Sequence, residues 1–136
     1  MLPGSHRGPL YSMYDESGHF VVRISDRQTE ALALEDLQAP TGPPGTVVLL
    51  NCRTVHGSVI NRAERGRPML LVVYSSADSF SYTPSPIVSP RLGEIVRGQP
   101  ACYASFDLRP CELPPDWARY GYHGPWQRQK AEEQRG

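Results

Sequence analysis

A histidine and an arginine, eleven positions apart, give the clearest chemical signal in this sequence. His56 opens the run His-Gly-Ser, and Arg67 directly precedes the run Pro-Met-Leu-Leu-Val-Val-Tyr at 68–74. Imidazole is the commonest metal-binding side chain in proteins, and arginine can hold a carboxylate with two parallel hydrogen bonds. The pair therefore predicts a metal ligand followed, at fixed distance, by a carboxylate clamp.

Two short apolar runs are expected to position this pair. Residues 45–52 follow a Pro-Pro-Gly turn and read Gly-Thr-Val-Val-Leu-Leu-Asn-Cys, and residues 69–74 form the second run. Such runs, bounded by turn residues, are typical of buried strands. Because residues of equal parity share a strand face, Cys52, His56 and Ser58 point the same way unless a bulge intervenes. We expect the histidine and the arginine at the mouths of neighbouring strands, facing one cavity.

The other segments give weaker signals. Residues 1–18 read as turn and loop, and residues 19–24 as a short strand with alternating apolar positions. Residues 26–38 are ambiguous, since Thr29 could cap a helical turn whereas the leucines that follow alternate as in a strand. Residues 75–98 are rich in Ser, Pro and Tyr and predict an ordered loop over one end of a sheet.

Composition excludes several classes of protein. The chain has 136 residues, 14 basic and 14 acidic side chains and no net charge, which suits one domain and argues against a nucleic-acid or anionic-membrane surface. Its start has no signal-peptide pattern, and its longest apolar run is too short to span a bilayer. The odd number of cysteines, three, fits reduced thiols rather than a disulfide framework. We therefore expect a cytoplasmic protein with no membrane partner.

Other chemical interpretations are less well supported by the residues. Cys52 precedes His56 by four positions, yet no acid or oxyanion turn accompanies it, so a thiol hydrolase is not expected. The sequence has no Gly-x-Ser-x-Gly elbow, phosphate loop or Rossmann fingerprint. Asn61 is expected to stabilise its loop through the side chain. Arg67 has an alternative role as a surface charge paired with Glu64.

These residues resemble the C-terminal half of the phytanoyl-CoA dioxygenase family, a group of iron(II)/2-oxoglutarate oxygenases. Three segments carry the resemblance. The first is His56-Gly57-Ser58 with Asn61 and Arg67, and the second is the opening Leu2-Pro3-Gly4-Ser5-His6, which is similar to the family's Pro-Gly-Ser-His turn. The third is residues 89–98, which are similar to a later segment of some bacterial members. The match is broad, because together these segments cover the chain to about residue 115.

The resemblance implies a fold, cofactors and roles for three residues. The fold would be all-β, the C-terminal part of a double-stranded β-helix of jelly-roll or cupin-like type over residues 1–115, with an irregular C-terminal tail at 116–136. The cofactors would be Fe(II), bound by His56, and 2-oxoglutarate, bound by Arg67 and Ser58. Such an enzyme uses molecular oxygen to hydroxylate a substrate, here a small organic or acyl molecule.

The resemblance also shows what this sequence lacks. The family's other two metal ligands form a His-x-Asp pair upstream of the Pro-Gly-Ser-His turn, and none of the four histidines is followed two positions later by Asp or Glu. We therefore expect a fragment that carries only half of the metal site. No residue of it is assigned as catalytic, and we expect it to be inactive in isolation.

Two alternatives remain open. A cupin-type metal protein shares the strand-Gly-strand-His layout, but the His-x-His and downstream Glu of the first cupin motif are missing. The other alternative is a catalytically inactive remnant or interaction module, in which a half-barrel packs on a partner. An exposed sheet edge would favour pairing with a second copy, so a homodimer is expected.

Overall fold

The computed structural model describes residues 1–116 and divides the chain into two units, Met1–Met69 and Leu70–Gly136. The described residues contain a 3-10 turn at Ser5–Arg7, a short helix, α1, at Asp26–Glu30, and a second 3-10 turn at Leu34–Asp36. Elsewhere in the described part the backbone forms turns, bends, one isolated bridge and irregular segments. The predicted tail at 116–136 lies, apart from its first residue, outside the described residues.

The first unit begins with the turn that the Pro-Gly-Ser-His pattern predicts. Gly4 has φ 79°, a left-handed conformation that glycine adopts without steric cost. The turn is closed by backbone hydrogen bonds from Arg7 N–H to Gly4 O, at 3.0 Å, and from Gly8 N–H to Ser5 O, at 2.9 Å. The segment is therefore a compact, hydrogen-bonded turn.

The strand expected at residues 19–24 does not form. Phe20 forms an isolated antiparallel bridge with Tyr14, and the two rings meet edge to face with centroids 5.2 Å apart. Two residues later Val22 has φ 57°, a left-handed conformation that β-branched residues rarely adopt. A strand cannot continue through this dihedral angle, so pairing stops at the bridge.

Helix α1 resolves the ambiguity of residues 26–38, and its cap differs from the predicted one. Ser25 is the N-cap: its backbone is extended and its hydroxyl accepts a hydrogen bond from Gln28 N–H. Thr29 instead lies inside the helix, where its hydroxyl donates to Ser25 O at 2.9 Å. The prediction that Thr29 caps the helix is therefore wrong. The helix starts earlier because Ser-x-x-Gln is a capping-box spacing.

The two apolar runs are exposed and unpaired in the described residues. Leu49 is 92% exposed and Val73 is 86% exposed, and neither run belongs to a strand ladder. Among the described residues, the single buried apolar side chain is Val55, at 8% exposure. The double-stranded β-helix therefore stays a prediction. No helix in the described part is long and apolar enough to cross a membrane.

The second unit is held in part by one acidic side chain. The Asp78 carboxylate accepts hydrogen bonds from the hydroxyls of Ser105 and Ser76, and Ser105 N–H donates to Asp78 O at 2.8 Å. These hydroxyl donors, Ser105 foremost, lower the pKa of Asp78 below its usual value. The contacts join two segments of the unit that are 27 positions apart.

Candidate functional site

The residue before His56 is fixed by the turn at the start of the chain. Val55 N–H donates to Ser5 Oγ at 2.9 Å, and Leu2 N–H donates to Val55 O at 2.8 Å. Ser5 Oγ in turn donates to Leu2 O at 2.7 Å. The side chain of Val55 is buried. The Pro-Gly-Ser-His turn and the histidine segment, some fifty positions apart, therefore form one local structure.

A second contact ties the same two segments together. Arg53 Nη2 donates to Gly8 O at 2.8 Å, and the Arg53 Nε atom is buried without a hydrogen-bond partner. Arg53 N–H also donates to the Asn51 side-chain oxygen at 2.9 Å, and Thr54 N–H to Asn51 O at 2.9 Å. The backbone that leads to the histidine is thus held at several successive residues.

The His56 imidazole is exposed and oriented by the backbone. Its Nδ1 atom lies 2.6 Å from Thr54 O. A carbonyl oxygen only accepts hydrogen bonds, so Nδ1 must be the protonated nitrogen in this contact. In the neutral ring the lone pair is then on Nε2, and a second-sphere carbonyl of this kind is how metal-binding histidines are usually oriented. His56 is therefore suited to act as one metal ligand.

The predicted cosubstrate residues are exposed, and the structure does not join them to the histidine. Within the described part of the chain, no hydrogen bond or ion pair links Ser58 or Arg67 to His56, and Arg67 makes no ion pair with Glu64. The surface-pair alternative for Arg67 thus has no support in the structure. Both side chains remain available to a ligand.

The role expected for Asn61 is confirmed. Its side-chain nitrogen donates to Arg65 O at 2.8 Å, and its side-chain oxygen accepts from Ala63 N–H at 3.1 Å. Both bonds lie within the polar loop that separates the histidine from the arginine. Asn61 therefore shapes the loop.

Residues 1–116 do not supply a complete metal site. No group of three or more His, Cys, Asp or Glu side chains in this range could hold a metal ion. The alternative pair Asp15 and His19 is part of its own turn: the Asp15 carboxylate accepts from the backbone N–H groups of Ser17 and His19, and lies 3.6 Å from the His19 ring. His56 fits the role of one ligand, and the described residues place no second donor beside it.

Two curated proteins are similar to this chain over part of their length. A probable alpha-ketoglutarate-dependent hypophosphite dioxygenase from Stutzerimonas stutzeri is 42% identical over 81 residues, which cover 58% of this chain and 28% of that protein. The chain is related to 2-oxoglutarate-type dioxygenases. An ectoine dioxygenase from Sphingopyxis alaskensis is 30% identical over 112 residues, which cover 74% of this chain and 37% of that protein.

The two matches confirm the resemblance to 2-oxoglutarate dioxygenases in general and do not decide the family within that group. The chain spans well under half the length of either dioxygenase relative, so activity, substrate and partners of a whole protein do not follow directly. Membership of the phytanoyl-CoA dioxygenase family stays a prediction. No family model and no solved structure matches the chain.

Proposed function

We propose that this chain is the part of an iron(II)- and 2-oxoglutarate-dependent dioxygenase that carries one metal histidine and the cosubstrate arginine. The observation that carries the proposal is the 42% identity to a protein named for its dependence on alpha-ketoglutarate. The exposed His56 ring, with Nδ1 bonded to a backbone carbonyl, adds support from the structure. The proposed fold is the C-terminal part of a double-stranded β-helix.

Each proposed site residue has a distinct task. His56 supplies an imidazole nitrogen to the iron, which when bound provides the oxidation chemistry that hydroxylates a C–H bond. Arg67 holds the far carboxylate of 2-oxoglutarate with its planar guanidinium, which keeps its charge at all physiological pH values. Ser58 donates a further hydrogen bond to the same carboxylate.

The proposed substrate is a small molecule, which reacts with molecular oxygen. The two relatives are named for different substrates, hypophosphite and ectoine. Substrate choice in such enzymes depends on side chains of variable loops, so neither name transfers to this chain. We propose a small organic or acyl substrate.

A hybrid protein tests the proposal. The segment of the S. stutzeri relative that precedes its matched region would be fused to, or co-expressed with, this chain. We expect the hybrid to bind about one Fe(II) per chain and to convert 2-oxoglutarate to succinate, because several preplaced donors are needed to hold labile iron(II). Iron content and succinate are measured with hypophosphite, ectoine or no added substrate.

Matched histidine variants decide what the result means. His56→Ala should abolish both iron retention and succinate formation, whereas His19→Ala, at an exposed histidine of an early turn, should change neither. Succinate formation that survives His56→Ala would contradict the proposed ligand. A folded hybrid that binds no iron would contradict the proposed function.

One observation favours a second candidate, a non-catalytic interaction module. The runs 47–50 and 69–74 expose large apolar side chains, and surfaces of this kind often mark contacts with other proteins. In that case the hybrid would be folded and inactive, and the chain would gain stability from a partner instead.

A further inference from the structure

We propose that Ser5 is a positioning residue for His56: its hydroxyl fixes the peptide unit whose carbonyl selects the protonated nitrogen of the imidazole. The role of His56 as a metal ligand rests on the proposed function, but the positioning itself does not need the metal. Four hydrogen bonds around Thr54 and Val55 support this role.

The peptide unit that joins Thr54 to Val55 links Ser5 to the imidazole. Its N–H and C=O groups belong to one rigid plane, because the amide bond has partial double-bond character. The N–H end donates to Ser5 Oγ at 2.9 Å, and the C=O end lies 2.6 Å from His56 Nδ1. The orientation that Ser5 imposes at one end is therefore transmitted to the imidazole at the other.

The Ser5 hydroxyl is itself oriented by the turn. Its proton is used in the bond to Leu2 O at 2.7 Å, so its lone pairs are free to accept from Val55 N–H. Leu2 also donates its N–H to Val55 O, in the next peptide unit, at 2.8 Å. Both peptide planes that flank the buried Val55 are thus held by the turn.

The consequence concerns the two neutral forms of the ring. With the carbonyl fixed, the form protonated on Nδ1 gains a hydrogen bond that the form protonated on Nε2 cannot make. Only the first form presents a lone pair on Nε2, the outward nitrogen. Without the Ser5 hydroxyl the Thr54–Val55 plane can rotate, and the preference between the two forms weakens.

The experiment is long-range proton–nitrogen NMR of the 15N-labelled 136-residue chain without metal, with the His56 ring assigned from the His56→Ala spectrum. In the unsubstituted chain we expect the Nδ1-protonated form to dominate. Ser5→Ala should lower the ratio of the two forms by roughly fivefold, as expected for the loss of one hydrogen bond. Ser5→Thr keeps the hydroxyl and should restore the original ratio.

Two further variants separate positioning from general stability. Ser85→Ala is the matched control, because the Ser85 hydroxyl also makes one donated and one accepted bond, both to Ile87, in the second unit. It should leave the His56 ring unchanged. If Ser5→Ala does not fold, Ser5→Cys is used instead to test the positioning role. The thiol keeps the approximate shape of the serine side chain but is only a weak hydrogen-bond acceptor. Exchange of the Val55 amide should accelerate in Ser5→Ala and Ser5→Cys, which lose or weaken the acceptor, and not in Ser5→Thr or Ser85→Ala.

The outcomes are distinct. An unchanged ratio of ring forms in Ser5→Ala, or in Ser5→Cys where Ala unfolds, overturns the positioning role. An equal change in Ser85→Ala also overturns it, because the effect would then be general. The two proposals can fail separately. If the hybrid dioxygenase does not bind iron but the ratio of His56 ring forms still depends on Ser5, the proposed function is rejected and the positioning role stands.

Discussion

At the scale of single residues, His56 and Arg67 are held in different ways. The histidine ring contacts a carbonyl on a peptide unit that is itself hydrogen-bonded, whereas the arginine side chain is exposed and has no partner among the described residues. Ordering a free arginine on a ligand costs side-chain entropy, on the order of 1–2 kcal/mol. The clamp proposed for Arg67 would therefore gain its geometry from the carboxylate that it binds.

This difference leads to a prediction for Arg67→Lys in the active hybrid. Lysine keeps the charge but replaces the planar fork by a point charge. We expect the apparent KM for 2-oxoglutarate to rise roughly tenfold or more, because a charge-assisted bidentate contact contributes about 1.5–3 kcal/mol. The KM for the second substrate should change little. Both constants are measured by succinate formation.

Arg65→Lys is the control for that measurement. Arg65 lies in the same polar loop, where its backbone carbonyl accepts from Asn61, and its side chain has no role in the proposed site. It should leave both constants near those of the unsubstituted hybrid. A 2-oxoglutarate constant that is unchanged in Arg67→Lys would remove the clamp assignment.

At the scale of elements, the sequence predicted local turns better than contacts between distant segments. The Pro-Gly-Ser-His turn was predictable because its residue types determine its geometry. The cap of α1 could also have been predicted from the sequence, because Ser25 and Gln28 have the capping-box spacing, which is a better signal than Thr29. The bond between Ser5 and Val55 was not predictable, since no local periodicity relates residues some fifty positions apart.

The failed strand at 19–24 gives an element-scale prediction. At Val22, φ 57° imposes steric strain of about 1–2 kcal/mol that glycine does not have. Val22→Gly should therefore destabilise the chain less than Val21→Gly, by roughly that amount, although both side chains are half-buried. Urea unfolding of the folded hybrid, followed by fluorescence, measures the two free energies of unfolding. Equal losses would show that the left-handed conformation does not persist in solution.

At the scale of the whole molecule, the described residues expose many large apolar side chains to solvent. Large side chains in both apolar runs are mostly exposed, including Leu49 in the first unit and Val73 in the second. Exposed apolar surface of this kind drives association. We expect the 136-residue chain to form dimers or larger assemblies, or to be poorly soluble, as measured by size-exclusion chromatography with light scattering.

Charge substitutions test whether the runs cause this association. Leu49→Lys together with Val73→Lys should shift the population towards monomer. Leu108→Lys, at an almost fully exposed apolar side chain outside both runs, should have a smaller effect. A clean monomer with one cooperative calorimetric transition, in the unsubstituted chain, would contradict the prediction.

The last prediction concerns metal binding by the chain without an added segment. His56 is the one residue proposed as a metal ligand, and no cluster of three donors exists in the described part. A single imidazole cannot retain labile iron(II) against water and competing ligands. We expect the purified 136-residue chain to hold no stoichiometric iron and to form no succinate from 2-oxoglutarate. Iron is measured by elemental analysis after desalting. Tight one-to-one binding that is lost on His56→Ala would show that the remaining ligands are present in this chain, and the proposal of a partial site would then be wrong.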